Sequence, residues 1–168
     1  MRILGVDPGY AICGYGLIEE VNHKLKPLDF GVISTPPRVL FEQRLLAIYD
    51  GMTALMNRYR PEVVAIEELF FSRNTTTAMG TAQARGVIIL PAAKQNLPVY
   101  EFKPSQVKNA VTGYGRADKK QVQHMVKTLL GLKDVPKPDD AADALAVAVA
   151  QANRGTVPYG QKLRGGYQ

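Results

Sequence analysis

The chain has a single cysteine, Cys13, which excludes an intramolecular disulfide and points to a reducing home in the cytoplasm. Flanked by Ile12 and Gly14-Tyr15, this cysteine is expected to be a small buried packing residue. Only two histidines accompany it, so no Cys or His cluster is available and any metal site must be built from hard oxygen ligands. No apolar run approaches the roughly 18 residues that a membrane helix needs. The stretch from Arg2 to Asp7 is too short, and too soon acidic, for a cleavable signal. No membrane partner is therefore expected. Neither an internal repeat nor a second domain is visible, and 168 residues suit one domain around one core.

Charge is unevenly placed. Residues 1–93 carry nine basic and nine acidic groups, whereas residues 94–137 carry nine basic and three acidic. That stretch alone holds +6, the net charge of the whole chain. Residues 138–153 contribute only Asp139, Asp140 and Asp143. A solvated basic helix face is the bland explanation. A basic stretch set against clustered acids also matches what a polyanion-cutting enzyme requires, since Lys and Arg hold phosphates while metal ions act on one of them.

The pattern of apolar residues predicts an α/β order. Residues 2–7, 13–20 and 28–34 read as an antiparallel meander, broken by Pro8-Gly9 and by Asn22-His23-Lys24. Leu45, Ile48, Met52, Leu55, Met56 and Tyr59 follow helical spacing, and residues 62–67 form a buried strand. Helix 75–95, strand 97–102 and helix 104–111 follow. A further helix, capped by Asp118, turns Val122, Met125, Val126, Leu129 and Leu130 to the core. The Gly-rich segment 153–168 is expected to be a flexible basic tail behind a domain spanning 1–152.

Four acids stand out against this order. Asp7 and Glu67 each end an apolar strand, and strand ends are where ligands gather in open α/β sheets. Asp140 and Asp143, three apart, share one face of an Ala-rich helix whose small residues permit close approach to a sheet. Taken singly, Asp139 and Asp140 could be ordinary capping residues of their helix, Asp7 could serve the Pro-Gly turn and Glu67-Glu68 could be a solvated strand end. Converging carboxylates repel unless a cation joins them, so the set reads as a site for Mg²⁺ or Mn²⁺.

Three antiparallel strands, alternating helices and strands, and a closing acidic helix resemble the ribonuclease H-like fold, with a mixed five-stranded sheet flanked by helices. The segments Gly5-Val6-Asp7-Pro8-Gly9 with Gly14-Tyr15-Gly16, Ala65-Ile66-Glu67-Glu68-Leu69-Phe70, and Gln83-Ala84-Arg85-Gly86 narrow the resemblance further. With Gln106-Val107-Lys108, the stretch from Lys119 to Val126, and Asp140-Ala141-Ala142-Asp143-Ala144-Leu145-Ala146, they are similar to the RuvC family of Holliday-junction resolvases.

The resemblance implies a homodimeric endonuclease acting in recombination and repair, which nicks opposed strands of a four-way DNA junction and leaves ligatable ends. Asp7, Glu67, Asp140 and Asp143 match its catalytic, metal-binding acids, with two Mg²⁺ per site implied and Mn²⁺ as a substitute. Phe70 matches the aromatic that enters the junction centre, with Phe71 as its rival, and Lys108 and Lys119 match basic residues near the scissile phosphates. Arg73, Arg116 and Lys120 complete the expected DNA-binding set. A branch-migration helicase complex is the implied partner, and helix 75–94, with Ala78, Gly80, Ala82, Ala84 and Gly86, is the candidate dimer interface. Two rivals are a sugar kinase of the actin-like class, which needs a second domain that 168 residues cannot supply, and a non-catalytic junction binder, which would have no need of all four acids.

Overall fold

The computed structural model describes residues 1–69, 75–155 and 161–162. β1 (Arg2–Asp7), β2 (Ile12–Val21) and β3 (Lys24–Ser34) form the expected meander. β3 starts at Lys24 rather than at residue 28, because Asn22 and His23 take positive φ of 50° and 62° and turn the chain tightly enough for Val21 to pair with Lys24. After it come α1 (Phe41–Tyr59), β4 (Val63–Glu67), α2 (Thr75–Lys94), β5 (Val99–Phe102), α3 (Pro104–Thr112), α4 (Lys119–Leu129) and α5 (Asp139–Ala152). The strand order is β3-β2-β1-β4-β5, with β4 parallel to both β1 and β5. This is the mixed five-stranded body expected from the sequence. At its edge, a two-residue β6 (Gln161–Lys162) pairs antiparallel with Tyr100 and Glu101 of β5.

Side-chain alternation sorts the strand residues between two helical layers. On β1, Leu4 and Val6 face the layer of α1 and α2, where they meet Ile48, Met52, Met56, Ala84, Ile88 and Ala92. Ile3 faces the opposite layer of α3, α4 and α5, together with Val63, Ala65 and Phe102. By the same alternation the last residues of β1 and β4, Asp7 and Glu67, lie on the α5 side.

Two features let α5 lie directly on the strands. Its buried positions include Ala141, Ala142, Ala144, Ala146, Ala148 and Ala150. Below them the strands carry glycine, and a Cβ at Gly5 would come within 2.6 Å of the Ala148 nitrogen and one at Gly16 within 2.7 Å of the Leu145 nitrogen. Helix and sheet backbones therefore meet with no side chain between them.

α4 begins with the expected cap, the Asp118 carboxylate accepting from the Gln121 amide at 2.9 Å. Its core face is Val122, Met125, Val126 and Leu130, but Leu129 does not belong to it and is 38% exposed. The helix ends there, with Leu130 as the C-cap, so Leu129 falls on the outward side of the last turn. Cys13 is fully buried, as expected. Of the segment expected to be a tail, Asn153–Gly155 forms a 3₁₀ turn, and the Arg154 guanidinium lies 3.8 Å from the Tyr100 ring centroid. No helix among the described residues is long and apolar enough to cross a membrane.

Candidate active site

β1 and β4 are neighbouring parallel strands with Val6 opposite Ile66, so Asp7 and Glu67 emerge side by side at their carboxyl ends. Asp7 is also paired with Gly14 of β2. The start of α5 lies over that glycine, whose Cβ position is 2.6 Å from the Asp140 carbonyl carbon and 3.2 Å from its Cβ. Any side chain at residue 14 would push Asp140 away from Asp7. Asp143, one turn on, lines a cavity of about 240 Å³ with Glu67, Pro104, Val107, Lys108, Lys119, Val122 and Ala146.

The acids also act on one another electrostatically. Burial, reinforced by repulsion from Glu67, Asp143 and Asp140, pushes the Asp7 carboxyl up to about 7, against a small opposing pull from Lys119. Burial and the Asp143 charge raise Glu67 to about 7 as well, opposed by Lys108 and Lys119. Burial also raises Asp143, although its hydrogen bond from Lys119 works the other way. The Lys119 ammonium donates to Asp143 Oδ2 at 3.0 Å and stands 3.4 Å from Asp139 Oδ2. Burial disfavours its charge, yet those two carboxylates hold it above the ordinary lysine range.

No three described His, Cys, Asp or Glu side chains converge tightly enough to be a ready-made ion cage. The donor set nevertheless fits a hard divalent cation. It consists of carboxylates, two of which are pushed up to about 7 by burial and then by the charge of neighbouring acids, and a bound cation would offset both effects.

The expected residues separate into three groups. Asp7, Glu67, Asp140 and Asp143 are brought together, with Lys108 and Lys119 at the cavity wall. Arg116 and Lys120 are exposed and form no ion pair among the described residues. Phe70, Phe71 and Arg73 lie outside the described residues. Glu68, the neighbour of Glu67, has left the strand, and its amide donates to the Phe102 carbonyl at 2.8 Å. His124 is exposed and does not line the cavity. On α2 the small residues face two ways: Ala84 is buried in the chain's own core and Gly80 lies against the Tyr10 ring, whereas Ala82 and Gly86 are exposed with Met79 and Leu90.

Sequence reasoning passed over Asp139 as a first-turn capping residue. Its partnership with Lys119 had one readable signal, since Asp139 and Asp143 are four apart and share a helix face.

A family model described as Crossover junction endodeoxyribonuclease RuvC matches residues 3–151. The protein of that name from Heliobacterium modesticaldum is 57% identical over 153 residues, spanning 91% of this chain and 94% of the relative. That from Desulfitobacterium hafniense is 56% identical over 153 residues, spanning 91% and 93%. Among solved structures, Thermus thermophilus RuvC superposes with a TM-score of 0.88 at 35% identity, covering 97% of this chain and all of that one. The same protein in complex with Holliday junction substrate gives 0.91 at 35% identity, covering 97% and 99%. The likeness makes the fold ribonuclease H-like.

Proposed function

The chain belongs to the RuvC family of crossover junction endodeoxyribonucleases, and from that membership we propose how its own residues divide the work. It is a metal-dependent nuclease that resolves Holliday junctions, with roles in recombination and repair. Asp7, Glu67, Asp140 and Asp143 are the catalytic, metal-holding acids. The observation that carries this reading is the meeting of the β1 and β4 ends with the start of α5 beside a cavity lined by Glu67, Asp143, Lys108 and Lys119. The proposed cations are Mg²⁺, two per site, with Mn²⁺ as a substitute, and Asp7, on which all three other acids act, would be central in holding them.

When bound, such ions polarise the phosphate and acidify the attacking water. The chain's residues do the rest. Lys108 from α3 and Lys119 from α4 line the cavity beside Glu67 and Asp143, and the role assigned to them is to hold the scissile phosphate and to offset the charge that grows on it during attack. Pro104, Val107, Val122 and Ala146 make the remaining wall apolar. A drier wall strengthens every charge interaction in the cavity.

Phe70, with Phe71 as its rival, stands between Glu67 and the start of α2 in sequence and is the ring assigned to the junction centre. Arg73, Arg116 and Lys120 follow the DNA backbone. Paired cuts on a nearly two-fold junction call for a two-fold dimer, and the outward stripe of Met79, Ala82, Gly86 and Leu90 on α2 supplies an apolar face for it. A branch-migration helicase complex is the proposed deliverer of the junction, and the cytoplasm the proposed site of action.

The test is cleavage of a synthetic four-way junction beside its own arms as linear duplex, with and without Mg²⁺. Paired nicks confined to the junction and to the Mg²⁺ sample are expected. Equal cutting of the linear arms, or cutting unaffected by a chelator, would overturn the reading.

A further inference from the structure

Asp139 belongs to none of the sets above. It lies outside the four matched acids and does not line the cavity, yet it is tied to Lys119, the lysine that hydrogen-bonds Asp143. Lys119 opens α4 and Asp139 opens α5, so the contact joins the first turns of two helices. The Lys119 ammonium sits between two carboxylates from consecutive turns of α5, 3.0 Å from Asp143 Oδ2 and 3.4 Å from Asp139 Oδ2. The lysine side chain is 52% exposed, and packing of its stem alone does not fix where the end group points. Lys137 also reaches Asp139, at 4.0 Å from its other oxygen, Oδ1.

The two carboxylates have different obligations. Asp143 is assigned to a cation, so its charge is claimed when the ion binds. Asp139 lies at the outer rim of the cluster, with a side chain 48% exposed. The geometry points to Asp139 as a positioning residue for Lys119, keeping the ammonium at the cavity when Asp143 turns to its ion, so that the lysine meets the scissile phosphate instead of withdrawing into solvent. This inference rests on the role given above to Lys119.

A double-mutant cycle tests it, using full-length Asp139→Asn, Lys119→Gln and their combination, with junction cleavage, Mg²⁺ affinity and melting temperature as readouts. Asp139→Asn is expected to lower the cleavage rate at saturating junction about tenfold, the loss of one charge-assisted contact. Mg²⁺ affinity and melting temperature should stay within about twofold and a degree or two of the unaltered protein. The Asn change should then cost nothing further in the Lys119→Gln background, and Asp139→Glu, which keeps the charge, should restore most of the rate. Full activity of Asp139→Asn overturns the inference. An equal loss in the presence and absence of Lys119 does so too, and a matching fall in Mg²⁺ affinity would make Asp139 a ligand instead. If Lys119→Gln itself leaves cleavage unchanged, the role given to the lysine has failed, a result distinct from the failure of Asp139.

Discussion

At the residue scale, Asp7 holds charge that folding disfavours. Its carboxyl and that of Glu67 keep their protons up to about 7, whereas in the unfolded chain they would lose them near 4. Between those limits the folded state binds more protons than the unfolded one, so stability of the ion-free protein should fall as pH rises from about 4 to about 7. Thermal melts across that range should show the decline, and Mg²⁺ should reverse most of it above pH 7. Asp7→Asn removes the repulsion along with the charge. Junction cleavage should drop by orders of magnitude while the melting temperature of the ion-free protein rises at pH 8, a pairing of loss and gain that ordinary core damage does not produce. Asp7 and Glu67 were legible in the sequence because each ends an apolar strand, and parity along the strand fixes which face it joins. Of the tie between Lys119 and Asp139 only the shared face of Asp139 and Asp143 could be read, because the contact itself depends on the starts of α4 and α5 coming to lie side by side.

At the scale of elements, the contact of α5 with β1 and β2 decides whether the acids meet. Gly5→Ala places a methyl against the Ala144 carbonyl and the Ala148 backbone, which no side-chain rotation can relieve. Overpacking of this kind costs about 1 to 3 kcal/mol. It should also lift the start of α5 from Asp7, so denaturant melts should show lower stability and ion titrations a weaker Mg²⁺ site. Normal Mg²⁺ affinity in a destabilised Gly5→Ala protein would show that α5 is not what sets the spacing of the acids. The need for glycine here could not be read in advance, since nothing in Gly5-Val6-Asp7 says that a helix will lie on it. Helix periodicity was legible through α1, but it overreached on α4, where the cap at Leu130 leaves Leu129 outside.

For the whole molecule, α2 separates two demands. Ala84, Ile88 and Ala92 bind it to its own sheet, so altering the opposite stripe should spare the fold. Gly86 is exposed, and a Cβ there meets nothing within 4 Å, so Gly86→Arg should keep the melting temperature of the protomer. Light scattering should then report a monomer, and junction cutting should shift from paired to single nicks. Paired cuts by a strictly monomeric variant would refute the two-fold arrangement. Neutralising Lys108 should likewise reduce the salt slope of junction binding by about one unit if the contact is made before the chemistry. Loss of cleavage with an unchanged slope would assign the lysine to the transition state alone. The basic bias of residues 94–137 was plain in the sequence, but its division was not: Lys108 and Lys119 line the cavity while Arg116 and Lys120 face outward.

Cys13 turns the burial of β2 into a clock. The thiol is fully buried, and burial pushes it up to about 12, so an alkylating reagent at neutral pH finds almost no thiolate in the folded chain. Its neighbour Gly14 is the residue on which the start of α5 rests. Labelling of this one sulfur therefore reports how often the strand beneath the acids opens, with no engineered probe and no competing cysteine. Mass spectrometry of the alkylated protein should show labelling slowed by Mg²⁺ in the unaltered chain and unaffected by Mg²⁺ in Asp7→Asn. That would measure, through a side chain with no part in the reaction, how strongly ion binding and strand closure are coupled.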